Sequence, residues 1–311
     1  MTKVMTTRRT ALLGAAALPF LAAAPALIAR PARAEAPMAG PMIAPFHRTT
    51  LGSYEVTTLL AGTRIVEKPQ EIFGLNASAE EFAAASEAAF IPTDAARFYF
   101  TPTLVNTGAG LVLFDTGTDP AGMTAALAAA GATPEQIDIV VLTHMHGDHI
   151  GGLSDGTAPT FANARYVTGA VEHNHWSAAG NEGFDTKVRP LGDKMTFVEG
   201  GAEAAPGITA IEAFGHTPGH MAWRIESEGQ ALILIADAAN HYVWSLEQPD
   251  WEVRFDADKA QAAATRKELL GMIAAERLPF VGYHMPFPAM GYLEARGPGF
   301  RFVPASYQLS L

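Results

Sequence analysis

Short apolar runs bounded by turn residues recur along the chain, and each predicts a buried β-strand. These runs occupy residues 54–60, 103–107, 111–115, 137–142, 208–214, 231–236 and 278–283. The segment 108–110, Gly-Ala-Gly, separates the second run from the third and predicts a hairpin. An alanine-rich stretch over residues 120–130 ends at Gly131 and predicts a helix. Together these elements and the chain length predict one large α/β domain.

Four side chains of the kind that bind metals follow the apolar run 137–142. They are His144, His146, Asp148 and His149. Imidazole nitrogen and carboxylate oxygen suit zinc and related divalent ions. Three histidines and an aspartate on one short loop would be costly to bury without a metal or other partners. The cluster therefore predicts a metal centre.

Three later runs each lead into one further residue of the same kind. They are His216 after the run 208–214, Asp237 after 231–236, and His284 after 278–283. Strand ends at one edge of a sheet sandwich converge, so a scaffold of several strands would hold this set in place. Taken singly, each of the three could be an ordinary turn residue, and their common context is what favours a ligand role.

The ordered set resembles the ligand pattern of the metallo-β-lactamase superfamily. The H-x-H-x-D-H motif of that superfamily is found here as His144-x-His146-x-Asp148-His149, followed by a later His, an Asp and a final His. The resemblance covers about residues 51–303. It implies a four-layer αββα sandwich, in which two mixed sheets lie face to face with helices outside.

The resemblance also implies a role for each residue. A first metal would be bound by His144, His146 and His216, a second by Asp148, His149 and His284, and Asp237 would bridge the two. Asp115 and His220 would orient ligand histidines without touching metal, although simple packing is an alternative for His220. We therefore expect two zinc ions per chain, and other divalent metals would suit the same ligands.

Two such ions, about 3.5–4 Å apart, typically share a hydroxide that attacks a carbonyl carbon or a phosphorus atom. The expected reaction is therefore hydrolysis, with Asp148 as the catalytic residue that passes a proton to the leaving group. The sequence contains no cysteine, which excludes the β-lactamases that use a cysteine ligand.

Several segments resemble the branch that contains methyl parathion hydrolase and exported lactonases and arylesterases. They are residues 104–108, 143–153, 216–220, 284–291 and 299–304. This branch implies a homodimer that acts on small apolar lactones, esters or phosphotriesters. An apolar substrate pocket is predicted, with Trp176 and Phe184 as its favoured wall residues. The predicted pocket residues are Phe100, Trp176, Phe184, Tyr242 and Phe287.

We expect the reaction to be lactone opening, with N-acyl-homoserine lactones as substrates, which is a quorum-quenching activity. The alternative is an organophosphate triester or aryl-ester hydrolase that uses the same site. In acyl-homoserine lactonases a tyrosine after the bridging aspartate polarises the carbonyl, whereas that spacing gives Asn240 here, with Tyr242 two residues later. A third interpretation, a non-catalytic binding protein on a reused scaffold, predicts missing ligands.

Residues 1–34 have the three parts of an export signal, namely a basic start, an apolar middle and a small-residue cleavage site. Arg8 and Arg9 precede the apolar stretch as in twin-arginine signals. We expect cleavage after Ala34, a single hydrolase domain over residues 35–311, and a periplasmic or secreted product with no stable membrane insertion. An uncleaved membrane anchor is the alternative.

The charge of the chain argues against a nucleic-acid partner. Residues 1–34 hold five of the 21 basic residues and none of the 32 acidic ones, so the remainder would carry a net charge of −16. An acidic surface without a basic stripe repels phosphate backbones. The absence of cysteine also excludes disulfide bonds and thiolate ligands.

Overall fold

Two seven-stranded sheets carry most of the buried apolar side chains in the computed structural model, which describes residue 38 and residues 40–306. In chain order the described strands are β1 (Phe46–Leu51), β2 (Tyr54–Leu59), β3 (Gly62–Glu67), β4 (Ala95–Phe100), β5 (Thr103–Asn106), β6 (Leu111–Phe114), β7 (Ile139–Leu142), β8 (Arg165–Gly169), β9 (Met195–Val198), β10 (Glu203–Ala205), β11 (Ile208–Glu212), β12 (Met221–Ser227), β13 (Gln230–Ala236), β14 (Phe280–Gly282), β15 (Met290–Arg296) and β16 (Gly299–Pro304). The described α-helices are α1 (Ala79–Ala88), α2 (Pro120–Ala129), α3 (Gly147–Ile150), α4 (Ala170–Ala179), α5 (Glu182–Lys187) and α6 (Lys259–Glu276).

Both large sheets are mixed. The first has the order β1-β2-β5-β6-β7-β8-β9, and its strands run parallel from β6 to β9. The second has the order β10-β11-β12-β13-β14-β15-β16, in which only the β13–β14 pair is parallel. The remaining strands, β3 and β4, form a separate two-stranded ribbon.

The two sheets face each other across a shared apolar core. Phe114 of β6 lies edge-on to Trp223 of β12, with ring centroids 5.9 Å apart. Neighbouring residues of β7 show why residues 139–142 are all apolar, because Val141 packs in the core between the sheets and Val140 packs with α2. A strand buried on both faces has no polar side.

Helices cover the outer faces of the sheets. Met123 and Leu127 of α2 pack with the first sheet, and Leu270 and Ile273 of α6 pack with the second. The layers therefore follow the order helix, sheet, sheet, helix. This arrangement confirms the predicted αββα sandwich.

The predicted strands are present, and their ends are where the ligand residues begin. The hairpin through residues 108–110 joins β5 to β6, and the predicted helix over residues 120–130 is α2. The run 208–214 is strand only as far as Glu212, so His216 lies on a loop rather than directly at a strand end.

The β3–β4 ribbon and the segment it encloses, which contains α1, were not predicted. Apolar and polar residues alternate irregularly there, and Ile65 is 58% exposed. The ribbon packs Phe98 and Phe100 of β4 with Phe73 and Trp244. It forms a wall beside the predicted ligands, as described below.

Residues 42–306 belong to one compact unit. The predicted export signal at residues 1–34 and the predicted start of the domain at residue 35 lie outside the described residues. Among the residues that the structure describes, no helix has the length and apolar character needed to cross a bilayer.

Candidate metal centre

The structure brings all seven predicted ligands together at one edge of the sandwich. His144 and His146 follow β7, and Asp148 and His149 lie in α3, whereas the other three follow strands of the second sheet. The three residue groups whose ligand atoms lie within 4.8 Å of one another are His144–His146–His216, His144–His149–Asp237 and Asp148–His149–His284. Both sheets therefore contribute to one cluster.

The first of these groups presents three imidazole nitrogens to a common point. Nδ1 of His146 lies 3.1 Å from Nε2 of His144 and 3.0 Å from Nε2 of His216. Burial lowers the pKa of His144, and His149 adds to that effect. Burial, followed by the neighbouring His216, lowers the pKa of His146 to about 3. Both are therefore neutral near pH 7, the form that binds a metal.

The group Asp148–His149–His284, called the second group from here on, combines two imidazoles with a carboxylate. Oδ2 of Asp148 lies 3.4 Å from Nε2 of His284 and 3.8 Å from Nε2 of His149. Burial alone would lower the pKa of His149, but the carboxylates of Asp237 and Asp115 outweigh it and raise that pKa. Negative charge therefore concentrates around this group, which favours a cation.

Asp237 lies between the two groups. Its Oδ2 is 3.4 Å from Nε2 of His216 and 3.2 Å from Nε2 of His284. Its Oδ1 is 3.3 Å from Nε2 of His149. One carboxylate thus reaches ligands of both groups, as a bridging ligand must.

Two buried polar atoms without a hydrogen-bond partner indicate that divalent cations fit this donor set. Nε2 of His149 and Oδ1 of Asp237 are buried, and although they lie 3.3 Å apart, neither makes a hydrogen bond to a described residue. Buried polar atoms are nearly always satisfied, so each points to a missing partner. A nitrogen-rich and carboxylate-rich set without sulfur is what zinc and similar ions bind.

The outer nitrogen of four ligand histidines is held by the protein, so Nε2 points inward. The contacts of these Nδ1 atoms are His144 with Thr143 Oγ1 at 3.1 Å, His149 with Asp115 Oδ2 at 2.8 Å, His216 with Asp256 Oδ1 at 2.8 Å, and His284 with the Tyr99 carbonyl at 2.8 Å. Such contacts fix both the tautomer and the orientation of a ligand ring.

Asp115 and His220 lie where an orienting residue belongs. Asp115, which has a left-handed φ of 58°, accepts hydrogen bonds from the amide and the hydroxyl of Thr143 and also contacts His149. His220 donates from Nδ1 to the Ala213 carbonyl and accepts at Nε2 from the Asp237 amide. Both ring nitrogens of His220 are therefore used within the protein, and its role is to hold the Asp237 backbone.

The loop that follows β6 packs closely against the segment that carries Asp148 and His149. The amide and the hydroxyl of Thr116 both donate to the His149 carbonyl at 2.8 Å. A Cβ at Gly152 would lie 2.1 Å from the Thr116 carbonyl oxygen. Only glycine fits at position 152 at this distance, so Gly152 allows the two loops to pack this closely.

The buried carboxylate of Glu172, which was not predicted from the sequence, links the loop after β7 to the loop that carries His216. Glu172 of α4 is 0% exposed. Its Oε1 accepts from the Met145 amide at 3.0 Å and from Trp176 Nε1 at 2.7 Å, and its Oε2 accepts from the Thr217 hydroxyl at 2.7 Å and the Gly219 amide at 3.0 Å. All four donors are neutral, and burial raises the pKa of Glu172. Nothing in the local sequence distinguishes this residue from a solvated helix carboxylate.

A buried ion pair, also missed, supports His216 from behind. Asp256 receives His216 Nδ1 on one oxygen and Arg266 Nη2 on the other, at 2.8 and 2.9 Å. Arg266 of α6 is 0% exposed and also donates to the carbonyls of Ala238 and Pro249. The pair thus links a ligand histidine to the second sheet and its covering helix.

A cavity of about 740 Å³ opens above the cluster. His146, Asp148, Asp237 and His284 lie in its lining. The apolar wall residues are Val66, Ile72, Phe98, Phe100 and Phe255. Phe98 and Phe100 meet His284 edge-on, at centroid distances of 5.4 and 5.8 Å. A cavity of this size accommodates a small apolar substrate beside the ligands.

Of the five predicted pocket residues, Phe100 lines this cavity. Trp176 is half-buried with its ring edge-on to His146 at 5.7 Å, and its indole N–H donates to Glu172. Trp176 therefore supports the ligand loop and does not line the cavity.

Phe184 requires a correction, because it is fully buried in the core of the first sheet. Tyr242 packs between apolar clusters, where burial raises its pKa, and Phe287 is half-buried in the loop after His284. Neither lines the cavity. Phe98, Arg64 and Arg254 line it instead, and the aromatic pattern of β4 was the available signal for Phe98.

Tyr283 also lies at the cluster, although it was not a predicted site residue. Its hydroxyl donates to the Asp148 carbonyl at 2.5 Å, and its ring lies over His149 at 4.0 Å. Asn240, at the position where acyl-homoserine lactonases have tyrosine, donates from Nδ2 to Asp237 Oδ2 at 2.8 Å. Both residues hold ligands in place.

Known proteins share both sequence and fold with this chain. An N-acyl homoserine lactonase of Bacillus cereus is 26% identical over 136 residues, which are 44% of this chain and 52% of that protein. The lactamase-like protein vrtG of Penicillium aethiopicum is 33% identical over 132 residues, 42% of this chain and 37% of that protein. The chain thus spans about half the length of the lactonase, and less of vrtG.

Two solved structures have the same fold over most of the chain. The structure of AidC, a dizinc quorum-quenching lactonase with a bound homoserine product, has a TM-score of 0.77 and 25% identity, and covers 84% of this chain and 97% of that one. The hydrolase AbOPH has a TM-score of 0.79 and 22% identity, and covers 86% and 99%.

The family assignment rests on sequence, fold and site together. Residues 101–279, more than half of the chain, match the family described as the metallo-beta-lactamase superfamily. The αββα layers and the seven converging ligands agree with that match. The chain therefore belongs to the metallo-β-lactamase superfamily.

Proposed function

We propose that this protein is a dinuclear zinc hydrolase that opens lactones, with N-acyl-homoserine lactones as its substrates. The observation that carries the proposal is the complete seven-residue ligand set at the base of a largely apolar cavity. The likeness to AidC, whose structure contains a homoserine product, supports the substrate class.

The ligand geometry indicates where two ions would be held. The first belongs with His144, His146 and His216, the second with Asp148, His149 and His284, and Asp237 lies between them. When bound, such ions supply a nucleophilic hydroxide at neutral pH and polarise the carbonyl oxygen under attack.

Asp148 is the residue best placed to move a proton. Its side chain is 28% exposed, lines the cavity, and receives no hydrogen bond from the described residues. A partly exposed carboxylate that is not saturated with hydrogen bonds can accept a proton and pass it to the leaving alkoxide. The walls formed by Phe98 and Phe100 would meanwhile exclude water and hold the acyl chain.

A second candidate function is the hydrolysis of organophosphate triesters or aryl esters at the same site. The observation in its favour is that no tyrosine of the described residues lines the cavity. A lactone carbonyl would therefore lack the tyrosine that acyl-homoserine lactonases place there. Aryl and nitrophenyl leaving groups depend less on such help because they leave readily.

The deciding experiment compares kcat/KM for a long-chain acyl-homoserine lactone and for methyl parathion on the zinc-loaded protein. We expect the lactone value to be at least about a hundredfold larger, equivalent to about 2.7 kcal/mol of preferential transition-state binding. The reverse ratio would establish the second candidate. Turnover of neither substrate would contradict both.

Metal content tests the ligand assignment separately from turnover. We expect elemental analysis to find two zinc ions per chain, and about one in His284→Ala, because that change removes a ligand of the second group. Two ions retained in the variant would refute the role of His284. Asp155→Asn, on an exposed loop outside the cluster, is the matched control.

We further propose that the protein is exported through its twin-arginine-type signal and acts as a homodimer outside the cytoplasm. The arginine pair at residues 8 and 9 supports export. Replacing both arginines with lysine should leave the protein in the cytoplasmic fraction. Light scattering of the mature protein would test the dimer.

A further inference from the structure

Two arginines stand among the otherwise largely apolar walls of the cavity. Arg64 of β3 and Arg254, in the segment before α6, line the same space as Asp148 and His284. A guanidinium group is charged at every accessible pH and presents a planar fork of donors that matches a carboxylate. Two of them therefore give one part of this cavity a fixed positive charge.

Neither arginine has an acidic partner within the described part of the chain. The recorded side-chain contact of Arg254 is with the ring of Phe255, 5.1 Å from its guanidinium carbon. Four other arginines, 189, 224, 266 and 301, pair with a carboxylate, and arginines 48, 97 and 165 donate to neutral oxygens. In a chain with 32 acidic and 21 basic residues, two unpaired arginines facing one cavity leave their donors free for a ligand.

The backbone holds both arginines close to the reacting centre. Arg64 lies directly opposite Phe98 in the β3–β4 ribbon, and Phe98 contacts His284. Directly opposite residues of an antiparallel pair project from the same face. The amide of Arg254 donates to the carbonyl of Ile72, another wall residue, at 2.8 Å. The backbone of each arginine is therefore hydrogen-bonded or paired to a segment that forms the cavity wall.

We infer that the substrate of this site carries a carboxylate on its acyl group, and that Arg64 and Arg254 bind this carboxylate while the lactone or ester carbonyl lies at the metal ligands. The inference rests on the proposed hydrolase function and narrows its substrate class. Both arginine side chains are exposed where they line the cavity, and a forked, charge-assisted hydrogen bond to a carboxylate is stronger than one between neutral groups. A wholly apolar acyl chain would leave both guanidinium groups without a ligand.

The test compares two substrates that differ only at the end of a six-carbon acyl chain, N-adipoyl- and N-hexanoyl-homoserine lactone. We expect kcat/KM of the zinc-loaded protein to favour the adipoyl compound at least about tenfold. In Arg64→Gln/Arg254→Gln this preference should disappear, through a loss on the adipoyl substrate alone. High salt should also reduce it, because the site opens to solvent.

Two comparisons keep the result specific. Arg64→Lys/Arg254→Lys should retain part of the preference, since the charge stays and the fork is lost. Arg301→Gln, an exposed β16 residue outside the cavity, should leave the preference unchanged. An adipoyl-to-hexanoyl ratio that is the same in the wild type and the glutamine variant overturns the inference, while hydrolysis of both lactones would leave the proposed function standing.

A binding measurement separates the two proposals if no lactone is turned over. Calorimetry on the zinc-loaded protein would use the unreactive N-methyl amides of adipic and hexanoic acid. Tighter binding of the adipic amide by at least about tenfold, abolished in the glutamine variant, would support the arginine site even without lactonase activity. Equal binding of the two amides would overturn it.

Discussion

The two sides of the metal centre are built from carboxylates in opposite environments. On the support side, Glu172 and Asp256 are buried and every oxygen accepts a hydrogen bond, so they hold loops and a ligand ring. On the cavity side, Asp148 is partly exposed, and its side chain has only the longer contacts with the imidazoles of His284 and His149, at 3.4 and 3.8 Å, among the described residues. The difference teaches that the same chemical group secures the site when it is saturated with donors and is free to react when it is not.

The largest expected effect lies on the support side. Arg266→Met removes one partner of a buried ion pair and leaves Asp256 charged without its guanidinium. Breaking such a pair costs about 3–5 kcal/mol of unfolding free energy. Urea denaturation measures it, with Arg301→Met, at an exposed pair, as the control whose loss should stay within about 1 kcal/mol. Equal losses in both variants would contradict the structural role of the buried pair.

Asp148→Asn tests the cavity side, and it should lower turnover without lowering stability, whereas Arg266→Met lowers stability. Turnover should fall at least about a hundredfold, or about 2.7 kcal/mol, because the change removes a ligand and a proton carrier. The melting temperature of the metal-free protein should stay close to that of the wild type, since no protein donor loses its acceptor. Turnover within tenfold of the wild type would refute the catalytic role of Asp148.

Glu172→Gln should lower both the stability of the protein and its affinity for metal. The amide nitrogen would face donors that need an acceptor, which costs about 1–3 kcal/mol of stability. Because those donors flank His144, His146 and His216, we expect the affinity for zinc at that group to fall about 10- to 100-fold. Competition with a coloured chelator measures the affinity. Unchanged zinc affinity together with lowered stability would limit Glu172 to a packing role.

Phe98→Leu should have the smallest effect. It removes a ring from the cavity wall and reduces apolar contact with the substrate by about 1 kcal/mol. We expect KM to rise roughly fivefold with kcat within twofold, because wall contacts serve the ground state and the transition state alike. Phe184→Leu, in the core, is the matched comparison and should lower stability while leaving KM unchanged. A larger change of KM in Phe184→Leu would reverse the assignment of the wall.

The ligands could be predicted because most of them follow an apolar run and their order along the chain matches the ligand pattern of the metallo-β-lactamase superfamily. Asp237 follows β13 at once, His284 follows β14 by two residues, and the His144 motif follows β7. The fold could be predicted for the same reason, together with the family resemblance that these residues carry. Local patterns of this kind need no knowledge of which segments meet.

The supporting residues could not be predicted, because their partners are distant in sequence. Glu172 meets Thr217 across 45 positions, and Asp256 meets His216 across 40. The wall aromatics show a related limit. Phe184 and Phe98 have the same side chain, and only the packing of α5 and of the β3–β4 ribbon determines which one is buried in the core and which one faces the cavity.

The division of the ligands between the two sheets has a consequence for the folding pathway. The cluster extends from His144 to His284, and neither sheet alone holds all three members of either zinc group. Contacts of such high sequence separation are slow to form, because a long segment of chain must first be closed into a loop. A divalent metal bound by both sheets would therefore favour the docked sandwich over the separated sheets, and by mass action it would stabilise the contact between them. Release of the metal would then accompany the first separation of the two sheets during unfolding.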